Sequence, residues 1–185
     1  MSGAHGHAEG GSKKIALLIS ILALFLAISE TLGKASQTDA LSYNVQASNL
    51  WSFFQAKTIR QTMLRTANEA SALGATAPDK TEALGKQQAA WAATIARWES
   101  EPETQEGRRE LSRRALEAEG KRDLALARYH HYEIASASFQ IAIVVASASV
   151  ITGVALLATG GAAIGVLGLA FTGVGLFAPN AFHLF

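Results

Sequence analysis

The residues with the most chemical potential stand together at Arg128-Tyr129-His130-His131-Tyr132-Glu133. His130 and Glu133 lie three apart, which on a helix places an imidazole and a carboxylate on one face. Two such groups could begin a metal site, but catalytic zinc usually takes three ligands from the protein. A second group, His5, His7 and Glu9, sits in a Gly-rich polar start, where closing on an ion would cost much backbone freedom. Arg108, Arg109, Arg113 and Arg114 could receive an anion, yet glutamates interleave with them, which is the pattern of a solvated helix face. No nucleophile motif, phosphate-cradling glycine loop or H-E-x-x-H occurs. The expectation is a non-enzyme with no catalytic, cofactor or metal site. With no cysteine in the chain, disulfides and thiolate metal sites are excluded.

The elements that position these residues are dominated by an apolar end. From Ile134 to Phe185 there is no Asp, Glu, Lys or Arg. A helical pass through a bilayer takes about 20 mostly apolar residues, so the stretch is long enough for two. Thr159-Gly160-Gly161 offers the turn, which predicts one membrane helix over 134–158, a second over 162–178, and a tail at 179–185. Near the start, Lys13 and Lys14 precede an apolar run from Ile15 to Leu32. A secretory signal cleaved near Ser29 would share this layout, but the run is long enough to span, and an uncleaved membrane helix over 15–33 is expected after a disordered segment 1–14.

Residues 34–133 carry 14 Lys or Arg and 13 Asp or Glu, a near-neutral balance without the clustered basic surface that nucleic acid requires. No Gly or Pro occurs from Lys34 to Leu73, so a long helix is predicted there, in continuity with the first membrane helix. Its residues Leu41, Val45, Ser48, Ser52, Ala56, Ile59 and Met63 advance by steps of four or three, a packing seam. Leu50 and Phe54, beside Trp51 and Phe53, add a second apolar stripe. Asp79 with Glu82 has capping-box spacing and opens a helix over 79–99, with Leu84, Gln88, Trp91, Ile95 and Trp98 along one side. Ser100 with Glu103 repeats that spacing and predicts a third helix over 103–133. Glu110 with Arg114 and Glu117 with Lys121 have the spacing of helix-surface ion pairs. Arg128, Tyr129, His130, His131 and Tyr132 are expected to anchor this helix at the membrane interface.

The fold class expected is therefore all-α: a membrane protein with three transmembrane helices and a water-exposed, long-helix, coiled-coil-like domain. Ala142, Ala146, Ser149, Gly153, Gly161, Gly165 and Gly168 form small-residue faces that let membrane helices approach closely. The expected partners are the lipid bilayer, further copies of the chain in a homo-oligomer, and an unidentified protein. The leading lysines favour a cytoplasmic N-terminus, an inner-membrane location and a periplasmic helical domain.

The stretch Gln46 to Arg60, QASNLWSFFQAKTIR, resembles a signature of a bacterial membrane-protein family known only as domain of unknown function 4337. The matching residues are Gln46, Ala47, Trp51, Gln55, Ala56 and Lys57. The resemblance implies the same plan of one apolar span, a charged helical middle and an apolar hairpin, and it implies no activity. Gln46, Trp51, Phe54, Gln55, Ala56, Lys57 and Ile59 are thus the candidates for a helix interface. The function expected is a self-associating scaffold or assembly factor; the alternative is an oligomeric pore with a hydrophobic gate.

Overall fold

The structure, a computed structural model, describes residues 5–73 and 78–181, with side chains from 13 to 73 and from 82 to 181. Among these residues every regular element is helical: α1 (His5–Leu73), α2 (Pro78–Glu99), α3 (Arg108–Thr152) and α4 (Ala155–Phe177). The first membrane segment and the long helix after it are one element, because nothing in the composition around Gly33 supplies a stop. Residues 5–12, expected to be disordered, carry helical backbone. The His5, His7 and Glu9 side chains, the Asp79 cap and residues 182–185 lie outside the described residues.

The chain divides into two compact units, Met1–Leu41 with Arg122–Phe185, and Ser42–Lys121. α1 and α3 contribute to both. Three of the four helices, α1, α3 and α4, are long and apolar enough to cross a membrane.

In the first unit, α3 buries Ala135, Phe139, Ala142, Ala146 and Ser149, steps of four and three, while α4 buries Gly161, Gly165, Gly168, Thr172 and Gly175 with the same rhythm. Small residues facing small residues bring the two backbones close. A Cβ on Gly161 would lie 2.8 Å from the Ala142 carbonyl oxygen, and one on Gly168 would lie 2.9 Å from the Phe139 ring. Leu22 from α1 completes this core, with Phe25 stacked on Phe139 at 6.0 Å between ring centres.

The turn between α3 and α4 is at Gly153-Val154, which corrects the expected break at Thr159-Gly161. Gly153 has φ +71°, a left-handed conformation that costs glycine little, and its N–H donates to the Ser149 carbonyl at 3.0 Å. Ser149 Oγ donates to the Val154 carbonyl at 2.9 Å, fastening the other side of the turn. Gly160 and Gly161 are thereby left inside α4, where Gly161 serves close approach.

In the second unit, Ala47 and Leu50 of α1 pack with Leu111, Ala115 and Ala118 of α3, flanked by Trp51 and Phe54. α2 lays the half-buried stripe Leu84, Gln88, Trp91, Ile95 and Trp98 inward. The third helix begins at Arg108, not 103. The expected Ser100–Glu103 box is replaced by a wider one: Glu110 accepts from Ser100 Oγ at 2.7 Å and from the Glu101 N–H at 3.1 Å. That places residues 101–107 in a loop. Gly107 is required in it, since a Cβ there would run into the backbone of Ser100 and Glu101.

Candidate interaction site

The polar centre of the second unit is Arg108, at the first turn of α3. Its guanidinium donates to Thr58 Oγ1 at 3.0 Å, Gln61 Oε1 at 2.8 Å and Glu99 Oε2 at 2.9 Å, and lies 4.9 Å from the Phe54 ring centre. One side chain thus ties α1, α2 and α3 together. A planar fork of donors can do this where an ammonium cannot. Gln61 is 2% exposed, and its Nε2 donates to the Ile95 carbonyl and to Glu99 Oε2, so it is fully used. The Thr58 hydroxyl in turn donates to the Phe54 carbonyl at 2.8 Å.

Beside this centre, buried Lys57 pairs with Glu101 at 3.6 Å and lies 5.4 Å from the Phe53 ring centre. Partial burial pushes the Glu99 carboxyl up. Hydrogen bonds from Gln61 and Arg109 and the charges of Arg108 and Arg109 more than reverse this, leaving it below its ordinary value. The hydrogen bonds from Ser100 and the Glu101 N–H hold Glu110 low in the same way. An open groove of about 650 Å³ runs along this region, with Phe54 and Leu116 as its apolar wall and Arg109 and Arg113 at its rim. Those arginines already face Glu99 and Glu117. The expected pairs Glu110–Arg114 and Glu117–Lys121 give way to these partners: Arg114 donates to the Gln105 carbonyl, and Lys121 lies over the Tyr43 ring.

The helix-interface candidates separate into two sets. Trp51, Phe54 and Lys57 turn inward, Trp51 with its Nε1 donating to Glu119 at 2.9 Å. Gln46, Gln55 and Ile59 are exposed, and Ala56 is half-buried. The seam read from the four-three spacing is the face that a single chain leaves uncovered: Val45 is 58%, Ile59 56% and Met63 67% exposed, with Ser48 and Ser52 exposed between them. From Ser42 to Met63 the only exposed charge is Arg60, because Lys57 is buried. Gln61 and Glu99 were not candidates, and Arg108 stands out in the sequence only with Arg109, Arg113 and Arg114, as a group that could receive an anion. Gln61, Arg108 and Glu99 come from three helices, and no local spacing connects them.

In the first unit, Ala142, Ala146, Ser149, Gly161, Gly165 and Gly168 are all buried, while Gly153 is exposed in the turn. Of the expected interface anchors, Arg128 is exposed and Tyr129 and His130 are half-buried. His131 and Tyr132 are buried inside the unit, a correction with a clear cause. His131 Nε2–H donates to the Pro179 carbonyl at 3.0 Å, beyond the end of α4, and Tyr132 fills the space that Gly175 leaves open. Buried Ser29 and Thr172 meet hydroxyl to hydroxyl at 3.0 Å. His130 Nδ1 lies 3.8 Å from Glu133 Oε2, and among the described residues no three His, Asp or Glu side chains gather as a metal site.

Neither a curated protein nor a solved structure matches this chain. The family described as Domain of unknown function (DUF4337) matches it over residues 11–178, which include the Gln46–Arg60 stretch and the apolar segments of α1, α3 and α4. The chain belongs to the DUF4337 family.

Proposed function

We propose that this protein is a non-enzymatic, self-associating membrane scaffold in which α1 of the second unit pairs with α1 of another copy. One observation carries the reading: the exposed stripe Val45, Ser48, Ser52, Ile59 and Met63, with half-buried Ala56 among them, whose surroundings lack the charges of a solvated helix. Large apolar residues at heptad-like spacing with small residues between them suit a close helix pair. A second copy is the occupant favoured by topology as well. Two chains inserted the same way in one bilayer present α1 in the same direction, so each residue of the stripe meets its own counterpart. The pore alternative has less support, because the apolar helices expose Leu17, Leu24, Val144, Leu156 and Val166 and turn the Ser29–Thr172 pair inward.

The natural absence of cysteine makes the test direct. Single Ser48→Cys and Ser52→Cys variants of the full-length chain in liposomes should each oxidise to a disulfide-linked dimer, since same-residue Cα atoms across a close helix pair come within disulfide reach. A dimer from Ser52→Cys alone would mean antiparallel pairing about that residue. Native mass spectrometry from nanodiscs should show a closed copy number, and Ala56→Glu with Ile59→Glu should reduce it to one without loss of helicity. A wild-type monomer, or no crosslink at either position, would overturn the reading.

A further inference from the structure

The first unit contains a second groove, of about 410 Å³, whose lining comes from α1 (Ser29, Glu30, Gly33, Lys34, Gln37) and α3 (Tyr129, Tyr132, Glu133, Ser136, Gln140 among others). On both helices these residues stand at the change from apolar to charged sequence. The α1 apolar run ends at Leu32, and the uncharged part of α3 begins at Ile134. If these segments cross a bilayer, the groove lies at headgroup depth, where tyrosines concentrate.

Its chemistry is that of neither an anion site nor a cation cage. Two carboxylates, Glu30 and Glu133, share it with one ammonium, Lys34. Glu30 accepts from Gln140 Nε2 at 3.3 Å and Glu133 from the Tyr129 hydroxyl at 3.4 Å, with His130 Nδ1 3.8 Å from Glu133 Oε2, which leaves acceptor capacity on both, since an ionised carboxylate offers about four lone-pair sites. Of the two tyrosines lining the groove, Tyr132 is buried against α4 and Tyr129 alone is half-buried, fewer aromatic faces than a cage for a quaternary ammonium uses. An anionic headgroup would meet two carboxylates. A phosphodiester carrying a primary ammonium satisfies every group: phosphate at Lys34, and three N–H donors to share between Glu30, Glu133 and the Gln37 and Gln140 amide oxygens.

We propose that this groove binds the headgroup of phosphatidylethanolamine. The proposal rests on the membrane reading of the first unit and is independent of self-association. The test uses the full-length chain in nanodiscs of equal phosphatidylethanolamine and phosphatidylcholine, with the lipids retained on the protein identified by native mass spectrometry. Phosphatidylethanolamine should be retained over phosphatidylcholine about tenfold, the equivalent of one hydrogen bond to a charged group. Glu30→Gln with Glu133→Gln should bring the ratio near one with helicity unchanged, and Glu117→Gln in the second unit should leave it at the wild-type value. Soluble glycerophosphoethanolamine at the same concentration should not displace the lipid; displacement would assign the groove to a water-soluble ester instead. Equal retention of the two lipids, or a preference that survives the double substitution, would overturn the proposal. Failure to enter the nanodisc at all would refute the membrane reading separately.

Discussion

Gly160 and Gly161 are neighbours in α4, and the same substitution should act on them in opposite directions. A Cβ on Gly160 meets nothing within 4 Å, whereas one on Gly161 would stand 2.8 Å from the Ala142 carbonyl oxygen, 3.1 Å from the Ala146 nitrogen and 3.2 Å from the Ala146 Cβ. Ordinary contact begins at 3.4 Å, so α3 and α4 would have to part by about 0.6 Å, and backbone atoms cannot rotate away as a side-chain tip can. Both Gly→Ala changes gain the same helix propensity, about 1 kcal/mol in water, so the difference between the two variants isolates the steric term. Overpacking of this kind costs about 1–3 kcal/mol. For a chain of this length 1 kcal/mol moves Tm by roughly 2–4 °C, which puts Gly161→Ala roughly 2–12 °C below Gly160→Ala. The assay is thermal unfolding of the full-length protein in one detergent, followed by circular dichroism, with wild type between the two variants. A turn at Thr159-Gly161, the expectation from sequence, would place both glycines outside the helices and make the variants behave alike. Equal Tm values, or a higher one for Gly161→Ala, would refute the contact and the turn at Gly153 together.

Two further outcomes follow from the Arg108 centre. Arg108→Ala should destabilise the second unit by about 2–3 kcal/mol, since it removes hydrogen bonds to a charged group and leaves buried Gln61 without its donor; Arg108→Lys should recover less than half, and hydrogen exchange at the Thr58–Gln61 amides would report both. Glu99 and Glu110 both have carboxyls held below the ordinary value of 4.5, so their contribution is present in full above that value and is lost as pH falls through the lowered folded values. The stability difference between wild type and Glu99→Gln with Glu110→Gln should therefore be constant near neutral pH and shrink in acid below about pH 4.5, as measured by chemical unfolding; a difference that grew in acid would contradict the assigned hydrogen bonds.

The helices and the apolar spans were legible because they rest on local patterns: absence of Gly and Pro from 34 to 73, absence of charge from 134 onward, and four-three spacing of small residues. Helix ends were not, because the misplaced ones depend on contacts and backbone conformations that no local pattern displays. Gly153 and Gly160 look alike in sequence, and only one takes a left-handed φ. Glu110 and Glu103 both follow Ser100, but a loop brings the more distant one back to the Ser100 hydroxyl. The stripe through Val45, Ile59 and Met63 was readable as a seam. That the chain buries Ala47, Leu50 and Gln61 instead was not, since two faces of α1 are apolar and sequence alone cannot rank them.

The distribution of unsatisfied surface indicates where this protein's associations are to be sought. In the first unit the small faces of α3 and α4 are consumed by each other, and Ser29 and Thr172 satisfy one another across helices, where a lone hydroxyl would be costly in an apolar setting. Along its apolar segments the exposed side chains, such as Ile141, Val144, Leu167 and Phe177, are large and apolar, which is what hydrocarbon accepts without a protein partner. The second unit differs. Lys57, Gln61, Arg108 and Glu99 are paired, Ala47 and Leu50 are covered, and yet Val45, Ile59 and Met63 remain exposed on a face with one charge. Such a stripe is unfavourable in water, and contiguous exposed apolar residues mark interaction surfaces. On the proposed self-association, the driving force would lie in α1 of the second unit, and substitutions of the small faces within the first unit should change stability before they change copy number.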